Sequence, residues 1–253
     1  LLCLLVGRDS PGKLIPHKAP RLSTLLMTVL FVLLLEPLVT CLNAFTMLFS
    51  PNYVLETQNE LTLVSLPLQL LCIAVVPALA EEFMFRGVFE GYYREKGILS
   101  AALLSGLVFG LFHLNFNQFG YAFVIGIAFA LLLEGTGSIF YGMAAHFLIN
   151  GFSVIITALS DQILPLTGQE SMAAAAESIT AEVMVNTFCV YAVLAAVTTC
   201  LAGAVYIWIV NHSGRMAYLE ENWKKPGEKK LSPVFLLGVI LCVGFMVWRD
   251  FMR

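Results

Sequence analysis

The length of its apolar blocks constrains this chain more than any other feature. Several of them run for about 20 residues or more with few charges, the length that an α-helix needs to cross a hydrocarbon layer of roughly 30 Å. Hydrophobic residues make up 59% of the sequence and charged residues 12%, whereas an ordinary soluble domain has about 25% charged residues. Backbone polar groups cannot face lipid unpaired. The sequence therefore predicts an all-α fold, a polytopic transmembrane helical bundle.

Uninterrupted apolar runs predict about seven spans. They lie at residues 22–50, 61–80 and beyond, 98–114, 119–133, 138–159, 183–210 and 233–248. Because the connections are mostly short, we expect a compact bundle forming a single membrane domain over residues 1–253. Its parts would be a core at 61–159, an exterior loop at 160–182, a polar cytoplasmic linker at 211–232 and a C-terminal span at 233–248. Within the exterior loop, residues 171–179 have the composition of a short helix.

Basic residues predict the orientation of the bundle. They precede the first span and follow the second and the sixth, which places them on one side if the spans alternate, and Arg249 and Arg253 are the exceptions. By the positive-inside rule, the basic side is cytoplasmic. The net charge of −3 argues against a nucleic-acid partner, which would require a basic patch. The apolar spans make membrane lipid the predicted partner. The basic groups comprise Arg8, Lys13, Lys18 and Arg21; Arg86, Arg94 and Lys96; and Arg215, Lys224, Lys225, Lys229 and Lys230.

The second span continues into a charged run, ALAEEFMFRG, at residues 78–87. An ionisable group within a span costs at least about 2.5 kcal/mol, so such groups are usually paired or functional. Glu82 and Arg86 are four residues apart and can form an ion pair on one helix face. Glu81 points about 100° away from Glu82 and is free to face another partner. This separation predicts one structural and one chemical carboxylate, on a helix that Pro77 should kink.

Two later spans each carry a histidine four residues from another distinctive side chain. Phe109 and His113 lie in LVFGLFHLN, and His146 and Asn150 lie in MAAHFLING. One buried histidine is more often a hydrogen-bonded core residue than a catalyst. Two histidines on separate spans, together with a free glutamate on a third, could instead meet at one point within the bundle. The coincidence favours a catalytic centre, because membrane interiors strongly disfavour unpaired polar groups.

Two further glutamates lie in or near apolar segments. Glu36 is beside Pro37 in the first span and could line a cavity, carry a proton or bond to the backbone that Pro37 frees. A structural or cavity role is favoured for it. Glu134, in the segment EGTGS, is expected at the membrane interface.

The polar residues within the spans resemble the motifs of the CPBP family, the CAAX-protease and bacteriocin-processing or abortive-infection proteins. This family includes the eukaryotic CAAX prenyl endopeptidase, and its motifs are EExxxR, FxxxH and HxxxN. The sequence contains all three in order, between residues 76 and 150. The matching residues are Glu81, Glu82 and Arg86, then Phe109 and His113, then His146 and Asn150.

The resemblance implies an intramembrane endopeptidase, with residues 61–159 as its catalytic core, in a bacterial cytoplasmic membrane. Glu81 would be the general base and His113 would hold or polarise the water, while His146 and Asn150 would stabilise the oxyanion. Glu82, Arg86 and Phe109 would support this site. The favoured chemistry requires no cofactor. Zinc bound by Glu81, His113 and His146 is the alternative, although the helical HExxH pattern is absent.

Other functional classes are compatible with the same residues. The cluster could tie helices together in a membrane scaffold or an immunity protein that is not an enzyme. A proton-coupled transporter could use Glu36, Glu81 and the histidines as a path, but the sequence lacks the paired inverted halves common in transporters. The predicted partner of the enzyme is a peptide or protein substrate in or near the membrane.

Overall fold

The chain folds into a bundle of apolar helices. The structure is a computed structural model and describes residues 15–53, 64–163, 180–225 and 231–252. Its helices are α1 (Leu22–Met47), α2 (Leu66–Tyr93), α3 (Ile98–Phe112), α4 (Phe116–Thr136), α5 (Ile139–Ile163), α6 (Ala181–His212), α7 (Met216–Asn222) and α8 (Pro233–Phe251).

Six of these helices are long and apolar enough to cross a membrane: α1, α2, α4, α5, α6 and α8. The shorter apolar helix α3 occupies the place of the predicted span at 98–114. The prediction of a polytopic helical bundle with about seven spans is therefore confirmed. The protein is a multi-pass integral membrane protein.

The segments between the spans differ in part from the predictions. Helix α5 continues to Ile163, so it takes in the first residues of the predicted exterior loop, and the short helix expected at 171–179 lies outside the described residues. The predicted linker at 211–232 contains α7, whose Leu219 is buried beside Ile98 and Val210. An apolar side chain fixes this polar segment to the bundle.

The centre of the bundle lies between four helices. Helix α1 packs along α6, α3 packs along α4, and α5 packs against α2. Side chains from α1, α4, α5 and α6 form the main apolar cluster, which includes Phe31, Leu35, Phe129, Ala145 and Ile209. Large apolar side chains on the outer faces are exposed, as lipid-facing positions require.

Contacts at one end of the bundle agree with the predicted orientation. The Arg21 side chain donates to the carbonyl of His212, so the start of α1 meets the end of α6. Arg94, directly after α2, pairs with Glu134 at the end of α4, and Arg215 contacts the same carboxylate. Basic segments that are far apart in sequence thus lie together, on the side that the positive-inside rule makes cytoplasmic.

Helices α3 and α4 approach closely through glycines. A methyl group at Gly106 would lie 2.7 Å from the carbonyl oxygen of Phe123, and one at Gly126 would lie 2.8 Å from the Cα of Gly106. Small residues allow such close packing of membrane helices. The approach brings Phe109 of α3 against α4, where the site described below begins.

We expect Gly106→Ala to destabilise the protein by about 1–3 kcal/mol, because the backbone of α4 would have to move. Gly238→Ala is the matched control, since among the described residues no atom outside its own stretch of helix lies within 4 Å of the added methyl group. Thermal unfolding of the purified protein in detergent measures both variants. Equal midpoints for the two would contradict the close packing.

Candidate active site

One cavity of about 540 Å³ lies within the bundle and is lined by residues of α1, α2, α3, α4 and α5. Glu81, His113, His146 and Asn150 all line it. The four residues to which the resemblance assigns chemistry therefore come from three helices and face a common space. The volume is within the range of about 300–1,000 Å³ typical of ligand pockets.

Helix α2 is irregular on both sides of its glutamate pair. Its α-helical segment Val76–Glu82 lies between two π-helical segments, Leu70–Val75 and Phe83–Phe89. Pro77 has no N–H to donate to the carbonyl of Ile73, four residues earlier. The side-chain amide of Asn150 donates to that carbonyl instead, at 3.0 Å. Asn150 thus ties α5 to α2 at the cavity wall, a role that its motif does not suggest.

Glu82 is at the centre of a fully buried ionic cluster. Its Oε1 lies 3.0 Å from Nη1 of Arg86 and 3.0 Å from Nδ1 of His146. Glu82 and Arg86 are both 0% exposed, and Arg86 also donates to the carbonyl of Gly126 at 3.0 Å. Because the carboxylate accepts from Nδ1, it fixes the ring orientation of His146 and directs Nε2 elsewhere.

Glu81 differs from Glu82 in exposure and in surroundings. Its side chain is 22% exposed and its Oε2 lies 3.9 Å from Nε2 of His146. That distance is too long for a direct hydrogen bond, but a water molecule could contact both atoms. Neighbouring carboxylates therefore flank one imidazole, with Glu82 at Nδ1 and Glu81 on the side of Nε2.

His113 lies at the C-terminal end of α3. Its Nδ1 lies 2.9 Å from the carbonyl oxygen of Phe109, so Nδ1 carries the proton and donates it. In the neutral ring, Nε2 is then an acceptor. Leu114, the next residue, has a φ of 54°, a left-handed conformation that is unusual for a residue other than glycine. This turn ends α3 directly after the histidine.

Phe109 separates the two imidazoles. Its ring centroid lies 5.2 Å from that of His113 and 5.7 Å from that of His146, in edge-to-face geometry with both. The guanidinium of Arg86 lies 4.3 Å from the same centroid. A cation over an aromatic face is stabilised by the ring quadrupole. Phe109 therefore helps to hold Arg86 as well as both histidines.

The sequence did not suggest the contact between Glu82 and His146, because it joins two helices. A sign of it was present in Gly142, four residues before His146. A methyl group at Gly142 would lie 2.9 Å from Oε2 of Glu82, so a larger side chain there would displace the carboxylate. A glycine on the histidine's own face marks the place where α5 accommodates a side chain from α2.

The zinc alternative requires Glu81, His113 and His146 to meet at one ion. Within the described parts of the chain, no three His, Cys, Asp or Glu side chains are grouped so that they could hold one metal ion. Nδ1 of His146 is bound to Glu82 and Nδ1 of His113 to a backbone carbonyl, so Nε2 is the nitrogen that each ring has left for a metal ion. Ligation by Glu81, His113 and His146 stays a prediction that would require these side chains to move.

Two other glutamates are placed by the structure. Glu36 lines the cavity, which agrees with the structural or cavity role favoured from the sequence. Glu134 lies in the last turn of α4 and its side chain is 1% exposed, and its expected position at the membrane interface stays a prediction. Its carboxylate pairs with Arg94 and accepts from the hydroxyl of Tyr218 at 2.9 Å. The Glu134 side chain is buried because α7 folds back and covers the end of α4.

Comparisons with known proteins find similarity to membrane peptidases. Residues 63–152 match the family model described as type II CAAX prenyl endopeptidase Rce1-like. The putative membrane peptidase YdiL of Bacillus subtilis (strain 168) is 29% identical over 93 residues, which are 36% of this chain and 38% of that protein. The membrane-embedded CAAX protease MroQ of Staphylococcus aureus (strain USA300) is 27% identical over 128 residues, 47% of this chain and 52% of that protein.

The similarity to these bacterial relatives thus spans about half of their length or less. No solved structure matches the chain significantly. The matched range of the family model nevertheless includes every residue from Glu81 to Asn150 that faces the cavity. The resemblance that the motifs predicted is thus confirmed: residues 63–152 match the Rce1-like family model, and they lie within a multi-pass membrane protein.

Proposed function

We propose that this protein is an intramembrane endopeptidase that hydrolyses a peptide bond with a water molecule activated by Glu81. The observation that carries the proposal is that Glu81, His113, His146 and Asn150 face one cavity inside a membrane bundle. The Rce1-like domain supports peptidase function at the level of the family. YdiL and MroQ are named as a membrane peptidase and a membrane-embedded protease, which agrees with this class of reaction.

Glu81 is the general base in this proposal. Its carboxylate reaches the cavity and has no cation within ion-pair distance among the described side chains apart from the imidazole of His146 at 3.9 Å. It would take a proton from water as the oxygen attacks the scissile carbonyl. Nε2 of His113, an acceptor because Nδ1 donates to Phe109, would hold the same water by its other hydrogen.

His146 stabilises the oxyanion in this proposal. Its Nδ1–H donates to Glu82, and this bond sets the orientation of the ring. In its imidazolium form the ring carries an Nε2–H as well. The ring can then donate from Nε2 to the negative oxygen of the tetrahedral intermediate, with no need to reorient. Glu82 acts through His146 and is a positioning residue, held in place by Arg86.

Asn150 and Glu81 complete the reaction. One N–H of the Asn150 amide is bound to the carbonyl of Ile73, and the amide nitrogen has a second N–H that can support the oxyanion. Glu81 returns the proton that it took from water to the leaving amine, so the carboxylate is regenerated. The products are a carboxylic acid and an amine, and no proton is gained or lost overall.

A comparison of released peptides tests the proposed function. Membranes that contain the wild-type protein, Glu81→Ala, His113→Ala or His146→Ala are incubated, and soluble and membrane-bound peptides are identified by mass spectrometry. We expect the wild-type membranes to produce cleavage products that are absent from all three variants. The control is Glu182→Gln, an exposed carboxylate at the start of α6 and away from the cavity, which should keep the wild-type pattern.

The scaffold and transporter hypotheses predict a different result. They predict that the variants fold and that all peptide profiles are the same. Thermal unfolding in detergent shows whether each variant is folded. Folded variants with unchanged profiles, or wild-type cleavage by Glu81→Ala, would exclude the proposed mechanism.

A further inference from the structure

The catalytic cavity contains a second carboxylate that the proposed reaction does not use. Glu36 comes from the middle of α1 and lines the same space as Glu81. It makes no hydrogen bond or ion pair with any residue that the structure describes. The carbonyl of Leu33, which Pro37 leaves free, is therefore not its partner.

Asn43, another polar residue of α1 at the cavity, has partners within the protein. Oδ1 of Asn43 accepts from the Asn117 amide at 2.9 Å and from the Asn52 amide at 3.4 Å. Nδ2 of Asn43 contacts the sulfur of Met47 at 3.5 Å. Asn43 thus links α1 to α4 within the protein, whereas the Glu36 carboxylate faces open space.

The carboxyl group of Glu36 has no lysine or arginine partner within the cavity as the structure describes it. No lysine or arginine of the described segments lines this space, and Glu81 adds a second carboxylate. A charged group inside a span is costly unless it is paired, and such residues usually mark a functional position. The missing partner can come from a ligand that carries a positive charge.

Glu36 also lies where the cavity approaches the lipid. A smaller groove of about 60 Å³ between α1 and α5 shares Glu36 and Phe152 with the catalytic cavity. Leu33 and Phe152 on its wall are 53% and 50% exposed on the outer surface of the bundle. A peptide located in the membrane is therefore close to Glu36 when it reaches the catalytic residues.

We propose that Glu36 is a specificity-determining residue that binds a cationic group of the peptide substrate, such as a lysine or arginine side chain. This inference rests on the proposed peptidase function. The substrate class is a largely apolar peptide with one basic residue at a fixed distance from the cleaved bond. The apolar residues would pack against the cavity wall, and the basic residue would neutralise Glu36.

Binding to an inactive protein tests this inference without turnover. The full chain with Glu81→Gln is purified in detergent and titrated with fluorescent apolar peptides of one length. Each peptide has a single lysine at a different position, and a matched set has uncharged norleucine there. For one of the lysine positions, we expect the lysine peptide to bind about tenfold more tightly than its norleucine counterpart. This ratio corresponds to a half-buried pair of opposite charges.

Glu36→Gln in the same background should remove this lysine preference and leave the affinity for the norleucine peptides unchanged. Glu182→Gln, the exposed control, should keep the preference. The inference is overturned if none of the lysine peptides binds more tightly than its norleucine counterpart, or if no peptide binds at all. It is also overturned if the lysine preference survives Glu36→Gln.

Cleavage is then measured with the tightest peptide and the protein that retains Glu81. A lysine preference in binding without any cleavage would refute the peptidase proposal and leave a cation-binding site at Glu36. Cleavage with equal kcat/KM for lysine and norleucine peptides would refute the role of Glu36 and leave the peptidase proposal intact.

Discussion

Arg86→Met is expected to lower the free energy of unfolding by about 3–5 kcal/mol, because it leaves Glu82 as a buried charge without its partner. Both side chains are 0% exposed and their charged atoms lie 3.0 Å apart. The substitution also removes the hydrogen bond to the carbonyl of Gly126 and the contact with the Phe109 ring. Thermal or dodecyl-sulfate unfolding of the purified protein measures the loss.

A double substitution separates the charge effect from the packing effect. Glu82→Gln together with Arg86→Met leaves no unpaired charge at this place, so most of the stability should return. Lys224→Met, at an exposed position after α7, is the control and should change stability by less than about 0.5 kcal/mol. A double variant as unstable as Arg86→Met would show that the burial of Glu82 is not the source of the loss.

The same double variant should remain inactive although it is stable. His146 would face an amide in place of the Glu82 carboxylate, and an amide that can present its NH2 group to Nδ1 no longer holds the ring in the orientation that the proposed oxyanion contact needs. This outcome would show that the ion pair between Glu82 and Arg86 supports the function of His146 as well as the stability of the fold. The pair then has two separable consequences, one measured by unfolding and the other by cleavage.

Local rules of the helix predicted much of this arrangement. The four-residue spacing placed Glu82 and Arg86 on one face, and the pair is present. The spans followed from the lengths of the apolar runs, because the thickness of the membrane fixes how long a helix must be. Each of these predictions depends on residues within one segment of the chain.

The contacts between helices were not predictable in this way. Nothing in the spacing of α2 shows that Glu82 meets His146 of α5, since that depends on how the two helices are rotated against each other. The π-helical segments of α2 change its register and are not signalled by apolar periodicity. The burial of Glu134 was not predictable for a similar reason, because it depends on α7, a short helix whose Tyr218 contacts the Glu134 carboxylate.

Glu81→Gln is expected to lower kcat by about 10²–10⁴-fold, the range for the loss of a general base, while KM changes little. Glutamine has the shape of glutamate and can still contact a water molecule, but it cannot take the proton of that water. The measurement uses purified protein and a peptide found in the comparison of released peptides. Unchanged thermal unfolding shows that the loss is chemical, and a kcat close to the wild-type value would remove Glu81 from the mechanism.

Comparing the same substitution at Glu81 and at Glu36 is the most direct test of whether the two carboxylates have different roles in the cavity. Glu36→Gln should raise KM for a substrate with a basic residue and leave kcat nearly unchanged, because it removes an interaction made equally by the bound substrate and the transition state. Glu81→Gln should do the opposite. Because both carboxylates line one cavity, opposite effects from the same substitution would show that one end of it binds the substrate and the other activates water.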